Sequence, residues 1–184
     1  MLESDEQIVV KVRESDKEAF SEIIRRYEAK LTHYLRKFIR DNDELEDVLQ
    51  DVFIKAYVHL QDFDVSLSFS SWVYRIAHNE LVNTLKKRKH ISIPIFEFDI
   101  LFPTFIKDTR TMEAHEQQSL RVMLDQCLDK LPIQYKEILV LYFFEEFEYK
   151  EIADILHIPI STVGVRLFRA KKRLAEVYKK NIHI

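Results

Sequence analysis

The sequence holds one glycine, one cysteine, one tryptophan and four prolines in 184 residues. A phosphate-cradling loop or a dinucleotide-binding fingerprint needs several glycines within a few residues, so neither exists in this chain. The lone Cys127 excludes an internal disulfide and a cysteine zinc cluster, and its helical spacing with Leu124, Leu128 and Leu131 marks it as a buried core thiol. Apolar runs are too short to cross a bilayer, which takes ~20 residues. The N-terminal MLESDEQIVV is acidic where a secretory signal would open basic and continue apolar, so a cytoplasmic protein is expected. His33, His59, His78, His90, His115, His157 and His183 are dispersed, and no two stand at i and i+4 of one helix. No carboxylate pair or nucleophile recurs at metal-ligand or triad spacing. The expectation is therefore a non-enzyme with no cofactor, no metal site and no small-molecule substrate.

What the chain has in plenty is helix formers. Apolar residues make up 47% of it, enough for one domain or two small ones, and the scarcity of glycine and proline beside abundant Leu, Glu, Lys, Ile and Arg predicts an all-α fold. The formal net charge is only -3, yet the charges are segregated. DNDELEDVLQD at 41–51 is acidic without a base, whereas KKRKH at 86–90 and RLFRAKKR at 166–173 are almost purely basic. Either these are solvated helix faces, or two cationic surfaces and one anionic surface await partners of opposite charge.

Four helices are expected over residues 4–90. SDEQIVVKVRES opens on a cap-like Ser4, and the next helix carries Phe20, Ile23, Ile24, Tyr27, Leu31, Tyr34, Leu35 and Phe38 as one stripe. In DELEDVLQDVFIKAYVHL the spacing of Leu45, Val48, Leu49, Val52, Phe53, Ala56, Tyr57 and Leu60 predicts a completely buried face. The opposite face collects Asp47, Gln50, Asp51, Ile54 and Val58. Carboxylates beside branched aliphatics on a wet face fit a docking surface for a basic, partly apolar partner, or scattered exposed aliphatics. In FSSWVYRIAHNELVNTLKKRKH, with Ser70 or Ser71 as expected cap, Val73, Ile76, Ala77, Leu81 and Leu85 form the core stripe. Trp72, Arg75, Asn79, Asn83 and Lys86 stack along another face. An aromatic to stack, amides to read base edges and cations to neutralise phosphate suit nucleic acid; the alternative is that Trp72 packs inward beside solvated polar residues.

Residues 91–112, ISIPIFEFDILFPTFIKDTRTM, interrupt the pattern with Pro94 and Pro103 and read as a linker. Its many Ile and Phe residues are an aggregation hazard in water, so the segment is expected to pack in a groove. Residues 113–184 then form a second helical domain. Within it, YKEIADIL, HIP and ISTVGVRLFRAKKRL read as helix, turn and helix. The apolar seam is expected at Ile152, Ala153, Leu156, Val163, Leu167, Ala170 and Leu174, with Ile158 at the corner and Ser161 as N-cap. The face opposite the seam offers Val165, Phe168, Arg169 and Lys172, flanked by Thr162, Arg166 and Arg173, as a helix in a DNA major groove does. Gly164 falls in the first turn on that flank. Either its missing side chain lets the helix approach a phosphate, or it serves tight packing against the partner helix.

These segments, in this order, resemble the extracytoplasmic-function class of bacterial RNA polymerase sigma factors, within the sigma-70 family, from about Glu6 to Leu174. DELEDVLQDVFIKAYVHLQDFD looks like the family's polymerase-binding helix, FSSWVYRIAHNELVNTLKKRK is similar to its minus-ten segment, and LDKLPIQYKEILVLYFFEEFEYKEIADILHIPISTVGVRLFRAKKRL is similar to its minus-thirty-five domain. The resemblance implies an alternative sigma factor directing promoter-specific initiation, with a region 2-like domain at 1–90 and a region 4-like helix-turn-helix domain at 113–184. It implies that Asp47, Gln50, Asp51 and Ile54 contact core polymerase, whose largest-subunit clamp and flap region are the partners. Asn79 stands where the family reads a flipped base, Phe63 and Asp64 fall in the loop that shapes the base pocket, and Trp72, Arg75, Asn83, Lys86, Lys87 and Arg88 belong to the face on the opened strand. Thr162, Gly164, Val165, Arg166, Phe168, Arg169 and Lys172 are the implied minus-thirty-five residues, and an anti-sigma factor is an implied partner. The chain departs from the family at Gly164 and Val165, where a basic and a small polar residue are usual, at Glu148, which replaces a Ser or Thr cap, and in its apolar linker. Two rivals stand beside this reading: a dimeric helix-turn-helix regulator that binds operator DNA unaided, and a helical enzyme.

Overall fold

The computed structural model describes residues 3–88 and 123–182, side chains of 181 and 182 aside, and every described element is helical. The expectations for the linker 91–112 and for residues 113–122 lie outside the described residues. Those that are described fall into two compact units: the first within Met1–Ile93 and Lys150–Ile158, the second within Pro94–Tyr149 and Pro159–Ile184. Among them no helix is long and apolar enough to cross a membrane.

In the first unit α1 (Asp5–Glu14) starts at a capping box, with Ser4 Oγ accepting from the Gln7 amide while the Gln7 side chain accepts from the Ser4 amide. Ile8, Val9 and Val12 are its buried residues. A short 3₁₀ turn, Lys17–Ala19, capped by Asp16, leads into α2 (Phe20–Arg36), whose Phe20, Ile23, Tyr27, Leu31, Tyr34 and Leu35 are buried, with Ile24 and Phe38 at the margin. The α3 helix (Asn42–Val58) begins at Asp41, whose carboxylate accepts from the Glu44 amide at 2.9 Å. A second 3₁₀ turn, Leu60–Asp62, and a loop precede α4 (Phe69–Arg88).

The 3.6-residue period placed the core stripes well and missed at their edges. The apolar face of α3 is not completely buried: Leu49 is half-exposed and Tyr57 is 40% exposed, its ring meeting Phe20 edge-on at 5.1 Å. On α4, Val73, Ala77 and Leu81 are buried, whereas Ile76 and Leu85 are only half-covered. The cap of α4 is neither Ser70 nor Ser71. Both lie inside the first turn, and Ser68 supplies the cap, its hydroxyl accepting from the Ser71 amide at 3.3 Å and its carbonyl from the Trp72 amide at 3.2 Å. Ser68, Ser70 and Ser71 satisfy one cap pattern equally well, and tertiary packing of Phe69 (0% exposed), which lies between the first two, selects Ser68.

The second unit holds helical residues 123–129 (α5), α6 (Ile133–Phe143) and α8 (Ile160–Ile182); α7 (Tyr149–Leu156) begins in it and continues into the segment grouped with the first. Pro132 is the N-cap of α6, one place before its first turn, and its carbonyl accepts from Tyr135 and Lys136. Cys127 is fully buried with Leu128 and Leu131. Of the expected seam residues, Ile152, Leu156, Val163, Leu167 and Ala170 are buried, and Ala153 and Leu174 are half-covered. Ser161 is not the N-cap of α8: the helix starts one residue earlier, with the Pro159 carbonyl accepting from Thr162 and Val163.

Candidate polymerase and nucleic-acid interfaces

The α3 helix turns its wet side out as a single stripe. Asp47, Gln50 and Asp51 are exposed, and Ile54 and Val58 stand 53% and 64% exposed beside them. Two aliphatic side chains left in water one and two turns past two unburied carboxylates make a surface that is at once anionic and sticky. The helix is anchored underneath by Val48, Val52 and Ala56, and Lys55 reaches the nearly buried Glu80 of α4 at 2.6 Å, so the stripe is carried on a rigid base.

On α4, Asn79, Asn83, Lys86 and Lys87 are exposed and Arg75 is half-exposed, one cationic and amide-bearing face as the spacing predicted. Trp72 takes an intermediate position. Its ring packs against Phe63 at 5.1 Å and Phe69 at 5.4 Å yet remains half-exposed. Phe63 stands at the start of the loop before α4. It is 3% exposed, edge-on to Phe69 at 5.5 Å and in contact with the Trp72 ring. Burying the ring in this aromatic cluster removes its apolar surface from water. Asp64 beside it is exposed, and hydrogen bonds from Ser66, amide first, hold its carboxyl below the usual carboxylate range. Arg88 is paired with Glu44 near the start of α3, its Nε donating to Oε1 at 2.7 Å, so a strand phosphate would compete with that carboxylate.

On α8 the expected DNA face is more covered than its sequence pattern implied. Lys172 is exposed, whereas Thr162, Val165, Arg166, Phe168 and Arg169 are half-covered. Two cations of the basic run lean on α6. Arg173 lies over the Tyr135 ring at 4.8 Å, and burial pushes Arg166 below the ordinary arginine range, an effect opposed by the charge of Glu137 and by Tyr135. Lys171, which the sequence reading did not single out, lies over Phe143 at 5.0 Å and Tyr142 at 5.3 Å. Gly164 faces Tyr149: a Cβ built there would stand 3.6 Å from Cε2 of that ring, an ordinary contact.

Sequence reasoning missed Arg13 and Glu6, which reach the loop before α4 from α1. No local signal marks them, because their partners lie 47 to 63 residues away.

The described residues thus present an anionic-aliphatic stripe, an amide-and-cation helix behind a tryptophan, and a basic helix after a short turn. Comparison with known proteins gives the class its name. The family model described as "Sigma-70 region 2" matches residues 23–91, and "Sigma-70, region 4" matches residues 121–174. The chain is 30% identical over 176 residues to the ECF RNA polymerase sigma factor SigW of Bacillus subtilis, covering 90% of this chain and 92% of that one. It is 32% identical over 178 residues to the RNA polymerase sigma-H factor of Pseudomonas aeruginosa, covering 94% and 92%. In fold it is similar to CnrH, solved in complex with the cytosolic domain of CnrY, with a TM-score of 0.71, 22% identity and coverage of 97% and 99%. The chain belongs to the extracytoplasmic-function RNA polymerase sigma factors of the sigma-70 family. It is an alternative sigma factor that directs promoter-specific transcription initiation.

Proposed function

We propose that this sigma factor docks on core RNA polymerase through the exposed stripe of α3, with Asp47, Gln50 and Asp51 meeting basic groups of the largest-subunit clamp and Ile54 closing the contact. The observation that carries this is the pairing of unburied carboxylates with an Ile54 that is 53% exposed on a well-anchored helix. Once seated, the α4 face binds the opened minus-ten strand: Trp72 and Arg75 stack or pair with it, Asn79 reads an unpaired base beside Asp64, and Asn83, Lys86, Lys87 and Arg88 neutralise phosphates. The start of α8, with Thr162, Gly164, Val165, Arg166, Phe168, Arg169 and Lys172, takes the minus-thirty-five duplex. The second unit's exposed Phe143 and Phe144 offer an apolar surface to the flap region.

On this reading residues 1–90 and 113–184 are the two working domains, the protein acts in the cytoplasm, and binding free energy, with no catalysis by the chain itself, drives strand opening. An anti-sigma factor restrains it by covering one of these surfaces; CnrH, the protein of similar fold, is itself solved with the cytosolic domain of CnrY. The deciding experiment is an Asp51→Lys pull-down with core polymerase. Affinity falls by tenfold or more, since an exposed attraction becomes a repulsion at an otherwise desolvated contact, about 1.4 kcal/mol or above, while the melting temperature stays put. Unchanged binding removes the α3 stripe as the docking site.

A further inference from the structure

The loop at 64–68 is tied down more firmly than a connection between two helices requires. At its start, Arg13 of α1 donates from Nε and Nη2 to the Leu60 carbonyl, at 2.9 and 2.5 Å, and from Nη2 to the Phe63 carbonyl. At its end, the Phe69 amide, which as a first-turn donor of α4 has no partner within the helix, donates to Glu6 Oε1 of the same α1 at 3.2 Å. In between, the loop closes on itself: Asp64 accepts from the Ser66 amide on its carboxylate at 2.9 Å and from the Leu67 amide on its carbonyl at 3.0 Å. Despite all these bonds Val65 and Leu67 remain 40% and 59% exposed at the tip.

Charge-assisted bonds from a half-buried guanidinium are among the stronger ones a surface loop can receive. Fixing a loop in advance removes the ordering cost that a ligand would otherwise meet. The tip adjoins, through Phe63, the half-exposed ring of Trp72 and the cation-and-amide face of α4, the face assigned above to the opened strand.

We propose that α1 is a clamp that preforms this loop, with Arg13 and Glu6 as positioning residues at its two ends, so that Val65 and Leu67 meet one unpaired base of the opened promoter strand as a rigid apolar tip. The proposal rests on the minus-ten reading of α4 given above and adds to it the residues that set the base preference from a distance.

The test is transcription by the full-length chain reconstituted with core RNA polymerase, on a promoter library randomised over the opened stretch. Arg13→Met keeps the apolar stem and removes the donors. It lowers the base preference at one position by roughly fivefold or more, the low end of what a base contact supplies, and leaves preferences elsewhere and core binding unchanged. Glu6→Gln, whose amide oxygen still accepts from Phe69, retains the preference, whereas Glu6→Leu loses it at that same position. A uniform fall across the library, or an unchanged preference in Arg13→Met at retained melting temperature, overturns the clamp. Should Arg13→Met unfold, the Glu6 pair decides alone: equal preferences in Gln and Leu variants overturn it. Val65→Ser with Leu67→Ser separates the two readings. If this exposed pair moves no preference, the loop reads no base and the minus-ten assignment of the loop falls with the clamp; if it moves one position and Arg13→Met does not, only the clamp falls.

Discussion

The single glycine is not where the backbone asks for one. Left-handed φ occurs among the described residues at Glu146 (φ 58°), three residues past α6, and at His157 (φ 54°), the residue that follows α7, where glycine ordinarily sits. The His157 turn is closed by the Ile158 amide on the Ala153 carbonyl at 3.1 Å. Gly164 stands inside α8, a helix position with no unusual φ, and its missing Cβ has room against Tyr149. Moving glycine to its natural place should therefore stabilise the protein twice over. Gly164→Ala is expected to add up to about 1 kcal/mol, and His157→Gly about 1 kcal/mol, both read from chemical denaturation midpoints at constant m-value. Tyr27 makes a pH prediction at the same scale. Burial first, then its hydrogen bond to Asp5 at 2.5 Å, raises its phenol above the ordinary 10.0. The native state thus favours the neutral phenol; the stabilisation is complete below pH 10 and falls as pH rises beyond it, because the unfolded chain ionises first. Thermal melts from pH 9 to 11 should show a slope that Tyr27→Phe reduces by about 1.4 kcal/mol per pH unit.

Among the elements, α3 is the one whose two faces are assigned opposite tasks. Its buried face locks it to α2 and α4, and the ordering of its first turn by Asp41 fixes where the acidic stripe begins. Asp41→Ala is expected to cost about 1 kcal/mol of stability while leaving the stripe's charges in place. Weak core binding by that variant at full folding would mean that the stripe depends on the cap for its geometry. The α8 helix shows the opposite economy, since Arg166 and Arg173 contribute to packing on α6 as well as to the cationic face. Helical period told which residues share a face, and Asp47, Gln50, Asp51 and Ile54 came out exposed together for that reason. It had no means of telling that Phe63 would be claimed by Phe69 and Trp72, or which of Ser68, Ser70 and Ser71 caps α4, because those outcomes turn on neighbours from other elements.

For the whole molecule, a formal net charge of -3 conceals a division of labour. The acidic block at 41–51 and the basic blocks at 86–90 and 166–173 would repel and attract the same nucleic acid if presented together. The free chain is accordingly expected to hold promoter duplex weakly and in a strongly salt-dependent way, with core polymerase raising promoter affinity by neutralising the acidic stripe. Fluorescence anisotropy on labelled promoter with and without core checks this, and equal affinities favour the self-sufficient helix-turn-helix regulator. The residue pattern by itself determined the helices, their apolar stripes, the segregation of charge and the family, because period, composition and motif order are local properties of a chain. Only the tertiary structure decided which atoms meet: Arg13 and Glu6 on the loop before α4, Phe63 beneath Trp72, Arg166 beside Glu137 and Tyr135. Those meetings depend on distances between elements far apart in sequence, which no spacing along one helix encodes.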